Sequence, residues 1–582
     1  MSEHEDADRP DEVDRPDDIV SEEIVSDEIV AEEIITEEPA LSVREARRAR
    51  RRRVRRAEPV APDPRAPILF AGGVIGAAVL VGIGLLVPTA PATEIPPPVV
   101  EPVDATVLIC PEPGGANDAE VTSAIAIVPD LAGQDRPGAT TLTYLGKPEE
   151  PVDIVTGDGI GLVEPGASVE VVNADGRLRP LVTIAEGGLA PGVVAGQYDL
   201  GLSGPRRGLA MLNCPSPAPS WWFVGGGSTT GRTTQMYLVN PESSDAEVDI
   251  SLAGPDGPIS TPSLRGLIVP AESRATIRLS RVAPRVPSVA WRVQVRTGRV
   301  TASVLDIDAE GFVPRGLDWI PPSAEPATRV YVPGILPGDG RRRLIVHAPG
   351  DLDALVQLRV ISPDGAYTPI DLPEVEVLAG SVSVLDLTPA LQGSAGTLEL
   401  TSDQPIVASV RSRHEGVDAS SNQIREDISF ATGATSISTL AAATGLPAVR
   451  GTGVTLWLTA PAPQTTPGGE GASAGGDDPG ITATIRVLPF GDGSVEPAPI
   501  VVDVPYDRAV PVTIDRPENA VWFTATVSPS AGRIYVAQSS LRRGSRGSLI
   551  SSYPLSELRT TVSIPSAGRD QGLSVGAEPI GE

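Results

Sequence analysis

The residues able to do chemistry are few. Cys110 and Cys214 are the only cysteines in the 582-residue chain, and no CxxC occurs, so neither a thioredoxin-like redox site nor a cysteine-ligated zinc is supported. Beyond residue 100 the only histidines are His347 and His414. A histidine metal site or a Ser-His-Asp triad needs more than these two, one in an expected strand and one just after another, so a structural role is expected for each. Acidic residues are abundant, Asp351, Asp353 and Asp364 among them. Two carboxylates suffice for glycoside hydrolysis, but acids at turns and on exposed strand faces are what a solvated β protein needs anyway. The GxSxG match at Gly471–Gly475 lies in a glycine-rich stretch and not on a strand-to-helix turn, and no Walker loop or GxGxxG joins a strand to a helix. Trp221 and Trp222, followed by Phe223 and the glycines 225–227, suit either a sugar-stacking platform or packing within a strand or at a junction between domains. No catalytic residue, cofactor site or metal site is therefore assigned, and no cofactor is expected. Trp221 and Trp222 are the one candidate ligand platform.

The strongest positional signal is the run Ile68–Val87, which carries no charged residue and follows nine arginines between Arg44 and Arg56. Twenty apolar residues make a helix of roughly 30 Å, the thickness of a bilayer core. The cationic flank is expected to stay in the cytoplasm and the rest to lie outside the plasma membrane. The run is too long, and too far from the N-terminus, for a usual signal peptide, although Ala90-Pro91-Ala92 offers an A-x-A pattern, so an uncleaved single-pass anchor is preferred. Gly72 and Gly76 form a GxxxG, which offers a homodimer contact between two such helices or is a chance match in a glycine-rich run. With both cysteines outside the membrane, a Cys110–Cys214 disulfide is expected.

Charge divides the chain. Net charge is −29, distributed as −15 over residues 1–38, +7 over 39–66 and −21 from Pro67 onward. So acidic an outer region repels phosphate polymers, and nucleic acid is not expected as its partner. The first segment repeats IVSEE, IVSDE, IVAEE and IITEE from Ile19 to Glu38. A period of five fits neither helix nor strand, and a disordered tail is expected. Between Pro88 and Val103 a proline-dense linker is expected to stand the folded part off the membrane.

With 60 glycines, 60 prolines and only 3% aromatic residues, the remainder reads as strands and turns. It repeats at about 110 residues. Leading strands recur at VLIC, WWFV, RVYV and TLAA; then MYLVNP, LIVHAP and LWLTAP; then alternating strands such as Ala246, Val248, Ile250 and Leu252. Turns recur as Pro255-Asp256-Gly257, Pro363-Asp364-Gly365 and Gly491-Asp492-Gly493, followed by VPAES, LAGS and VPYD, with EPGAS in the first repeat. Each repeat is expected to close on a hairpin, as at Trp291–Leu305 around Gly298. About seven strands in a hundred residues imply an all-β fold of tandem immunoglobulin- or fibronectin-like sandwiches, with a β-propeller as the alternative.

The expected organisation is a cytoplasmic tail (1–66), a transmembrane helix (67–87), a linker (88–103), sandwiches at 104–218, 219–325, 326–430 and 431–564, and a disordered tail (565–582).

The segment RGLAMLNCPSPAPSWWFVGGGSTTGRTTQMYLVNPESSDAEVDISLAGPDGP, Arg207–Pro258, resembles an actinobacterial family catalogued as domain of unknown function 5719. The likeness extends over most of the outer region through its NP, PDG, VPAES and GRV elements. It implies an envelope protein and transfers no site residues. The function expected is a non-enzymatic, membrane-anchored scaffold or adhesion protein that binds an envelope protein or glycan. The alternatives are a transmembrane sensor coupled to the acidic tail and, third, a glycan-active enzyme.

Overall fold

Alternating residues build strands because successive side chains point to opposite faces of a sheet. In Ala246–Gly254, Ala246, Val248, Ile250 and Leu252 are buried, while Glu247, Asp249 and Ser251 lie on the other face. The computed structural model describes residues 99–111, 119–147, 149–150, 152, 154–156, 161–172, 179–372, 374–463 and 480–564. The acidic tail, the apolar run with Gly72 and Gly76, most of the linker and residues 565–582 lie outside them. No helix among the described residues is long and apolar enough to cross a membrane.

After β1 (Val99–Pro102), a first module holds β2 (Ala105–Cys110), β3 (Ala119–Ile127), β4 (Gly138–Tyr144), β5 (Ile154–Thr156), β6 (Ser168–Val172), β7 (Leu181–Gly187), β8 (Val193–Gly201) and β9 (Gly208–Asn213). The second holds β10 (Ser220–Val224), β11 (Arg232–Asn240), β12 (Ala246–Gly254), β13 (Gly257–Ile259), β14 (Leu267–Val269), β15 (Ser273–Arg278), β16 (Ala290–Thr297), β17 (Thr301–Glu310) and β18 (Val313–Ile320). The third holds β19 (Ala327–Ile335), β20 (Arg342–His347), β21 (Ala354–Ser362), β22 (Gly365–Tyr367), β23 (Glu374–Val377), β24 (Val382–Asp386), β25 (Gly396–Val417) and β26 (Ile424–Thr432). The fourth holds β27 (Ala441–Pro447), β28 (Thr452–Thr459), β29 (Ile481–Phe490), β30 (Ile500–Val504), β31 (Ala509–Ile514), β32 (Trp522–Pro529), β33 (Tyr535–Gly544) and β34 (Gly547–Pro554), and β35 (Thr561–Ile564) follows.

The protein is all-β, and the modules share one pairing scheme. In the second, β10-β16-β12-β13 forms one sheet and β15-β11-β17-β18 the other. The first and fourth repeat this as β2-β7-β4 with β5-β6-β3-β8-β9, and β27-β32-β29-β30 with β31-β28-β33-β34. In the third, the 22-residue β25 serves both sheets: Gly396–Ile406 pairs with β19 and β21, and Val407–Val417 with β20 and β26. An immunoglobulin constant domain pairs its first strand with its second. Here the first strand of each module pairs with the strand before the crossover.

The expected closing hairpin is corrected by this pairing. β16 and β17 do not pair with each other but lie in different sheets. At Gly298 (φ 77°) and Gly532 (φ 75°) the chain crosses from one sheet to the other, a backbone conformation that glycine adopts without a Cβ penalty. The true hairpins come one strand later: β8–β9, β17–β18, β25–β26 and β33–β34. The PDG turns behave as expected, since Gly254 faces Gly257 and Ser362 faces Gly365 across two-residue loops.

The modules follow one another in a closed cycle. The last strands touch in the order β9, β18, β26, β34 and back to β9. An apolar cluster fills each junction: Ala210 and Leu212 with Leu305 and Trp319, Trp222 and Ala290 with Ile345 and Val407, Leu336 with Trp457 and Ala537, and Phe490 and Trp522 with Ala124 and Val194. Neighbours also share cores. Ile428 and Phe430 of the third module lie in the core of the second, and Leu209 and Met211 of the first in that of the fourth. Finally β1 pairs antiparallel with β35, Val99 opposite Ile564, clasping the two ends of the cycle.

Candidate functional site: the axis between four edge strands

Each last strand is a sheet edge, and an edge presents unpaired N–H groups that must find acceptors when buried. Four such edges meet along the axis of the cycle. The sequence supplies acceptors there as Asp318 in β18, Asp427 in β26 and Ser551 in β34, all fully buried. Asp427 Oδ2 accepts the main-chain N–H groups of Leu209 at 3.2 Å and Ile550 at 2.9 Å, and its Oδ1 accepts that of Ile428 at 3.0 Å. Asp318 Oδ2 accepts the N–H of Phe430 at 3.2 Å, and its Oδ1 the Ser551 hydroxyl at 2.9 Å. The same hydroxyl accepts the N–H of Met211 at 3.0 Å. Two carboxylates and one hydroxyl thus bond all four modules. Glycine permits the approach: a Cβ on Gly316 would lie 2.4 Å from Asp427 Oδ1.

Burial dominates the electrostatics of the axis. It pushes the Asp427 carboxyl up to about 8 against the pull of its N–H donors and Arg207. It pushes Asp318 well above the usual carboxylate range, and the nearby Asp427 adds to this. Asp199, bonded to Trp319 Nε1 at 2.9 Å and to Gln197, is raised by burial to about 6. At one end of the axis Arg207 donates to the carbonyls of Glu426 at 3.0 Å and Arg546 at 2.7 Å.

A second polar seam joins the second and third modules. Arg232 grips Asp306 at 2.9 Å while Arg411 and Arg413 hold Asp308. Glu426 is held by Arg315 and Arg413. Burial, with Arg232 nearby, lowers the Arg411 guanidinium to about 10. Between the third and fourth, Arg359 bridges Glu399 and Asp507.

The residues singled out from sequence lie elsewhere. Trp221 and Trp222 are buried, 8% and 5% exposed, so they form no exposed platform. Trp221 packs in the core of the second module, and Trp222 lies at a junction with its indole N–H on Glu325 at 2.8 Å. Cys110 and Cys214 form a disulfide 104 residues apart, tying β2 to the segment after β9. His347 Nδ1 lies 2.8 Å from the Ser381 carbonyl, and burial lowers its pKa. His414 lies on β25 seven positions beyond Val407, the register partner of His347, which is about 23 Å along the ladder. Asp353 accepts the Ala379 N–H at 2.7 Å, while Asp351 and Asp364 are exposed. No group of three or more His, Cys, Asp or Glu fit to hold a metal occurs among the described residues. Two open hollows lie on the third module, one of about 410 Å³ between Tyr367 and Gln392 and one of about 300 Å³ over Arg359 and Glu399.

No curated protein matches the chain. The family model of unknown function DUF5719 matches residues 167–489, from just before β6 in the first module into β29 of the fourth. That is more than half of the sequence, and the chain belongs to this family.

Proposed function

We propose that this is a membrane-anchored, non-enzymatic scaffold of the actinobacterial cell envelope, displaying outside the membrane a rigid cycle of immunoglobulin-related sandwiches that binds an envelope protein or glycan. The observation that carries the reading is the use of the buried ionisable groups: Asp318, Asp427 and Arg411 bond one module to the next. Groups arranged in this way favour a fixed relative placement of surfaces. The disulfide suits an oxidising compartment, and the apolar run at 68–87 suits a tether.

The test is a photo-crosslinker placed in living cells at exposed Asp364. Recovery of one discrete envelope component supports the scaffold. Protease added to intact cells should remove the modules and leave the tail protected, and the opposite pattern would remove the topology.

A further inference from the structure

The four hairpins β8–β9, β17–β18, β25–β26 and β33–β34 turn at the same end of the axis. Their tips are tied together: the backbones of Asp418 and Arg546 pair in an isolated antiparallel bridge, the Ala419 N–H donates to the Ser545 carbonyl at 2.7 Å, and Arg315 pairs with Glu426. From this end β34 runs away to Pro554, and the chain continues to the clasp of β35 with β1. The tips therefore lie away from the point where the chain enters at Val99.

These tips carry what a soluble turn does not need. Phe312 is fully exposed, the one exposed phenylalanine among the described residues, and Val313, Val417 and Ile424 are 45%, 58% and 61% exposed. The turn itself requires Gly311, at φ 59°, and makes no use of the ring beside it. The charges there run against the rest of the protein. Arg206, Arg543 and Arg546 form no salt bridge among the described residues. Of the acids, Glu310 and Glu426 are held by Arg315 and Asp418 by Arg425, which leaves Glu415 the one exposed acid of the tips outside a salt bridge.

We propose that this end of the cycle docks on an anionic lipid surface, with Phe312, Val313, Val417 and Ile424 entering the headgroup boundary and Arg206, Arg543 and Arg546 against phosphates. Separate apolar tips with arginines between them suit an interface that is apolar below and anionic above. The charge of −21 from Pro67 onward turns the remaining faces away from such a surface. The proposal goes beyond the scaffold reading, naming a lipid partner at the end opposite the clasp.

The full chain is held in phosphatidylcholine nanodiscs, or in buffer if it does not insert. It is then mixed with separate sucrose-loaded vesicles of phosphatidylcholine alone or of equal parts phosphatidylcholine and phosphatidylglycerol. Sedimentation with the anionic vesicles, weakened by salt, is expected. Arg543→Ala with Arg546→Ala should lower partitioning on the order of thirtyfold, and Phe312→Ser should lower it with both tips still folded. Equal sedimentation with neutral vesicles, self-association without vesicles, or undiminished binding by the chain with all three substitutions would overturn the proposal. Nanodisc uptake reports the anchor and vesicle sedimentation reports the tips, so the two readings fail separately.

Discussion

The carboxylate of Asp427 accepts the main-chain N–H of Ile550, 123 positions along the chain, at 2.9 Å. That bond joins the third module to the fourth, and the same oxygen takes the N–H of Leu209 from the first. Replacing Asp427 by alanine leaves these two donors and the Ile428 N–H buried without an acceptor. At roughly 1–3 kcal/mol for each orphaned group, the variant should lose about 3–9 kcal/mol in guanidinium unfolding. Asp427→Asn keeps one acceptor oxygen and should lose less. Equal stability of Asp427→Ala and the parent would remove the axis as a source of cohesion.

The same residue sets a pH dependence. Its pKa is raised in the folded protein to about 8 from an ordinary value of 3.8, and that of Asp199 to about 6. The folded state therefore holds protons that the unfolded chain has released. The stability these groups contribute is full below pH 4 and falls as pH rises through 6 and then 8. Melting temperatures of the parent and Asp427→Asn across that window should converge towards pH 8, because the amide cannot ionise. Parallel curves would contradict the assignment.

Gly316 and Gly311 both have positive φ, at 121° and 59°, but only one is crowded. A Cβ at Gly316 would meet Asp427 Oδ1 at 2.4 Å and the Ile428 nitrogen at 2.5 Å, whereas Gly311 faces open space. Gly311→Ala should cost about 1 kcal/mol, the strain of the backbone alone. Gly316→Ala should cost more than 3 kcal/mol, since it also forces the axis apart. Thermal melts of the two variants provide the comparison.

The disulfide closes a loop of 104 residues, for which chain entropy gives roughly 4–5 kcal/mol. Cys110→Ser with Cys214→Ser should lower the guanidinium midpoint while leaving the far-ultraviolet circular dichroism of the other modules intact. An unchanged midpoint would show that the loop is held by packing alone.

Much of the fold is legible in local pattern. The alternation at Ala246–Leu252 makes β12, and the NP motif has a physical cause: Asn240 is buried and donates from Nδ2 to the carbonyls of Ser244 at 2.8 Å and Val269 at 3.0 Å. In the third module Ala348 takes the place of Asn240, and His347, one position earlier, bonds the Ser381 carbonyl. The hairpin expected around Gly298 is not legible, because glycine at positive φ serves a turn within one sheet and a crossover between two equally well. Least legible is the axis. Asp318 and Asp427 stand in short sequences, GLDWI and EDISF, where an acid reads as one more solvated strand residue. The signal available was an acid directly followed by a large apolar residue on a strand that closes a repeat. Its partners lie more than 100 positions away, and no local period encodes them.

The clasp and the disulfide also set a route for mechanical tension. A pull on the chain before Val99 reaches β1 first and is shared with β35, its antiparallel partner. It then passes along β2 to Cys110 and crosses the sulfur bridge to Cys214. The strands between them, β3 to β9, stand outside that route, so the first module stays folded under a load delivered to the second.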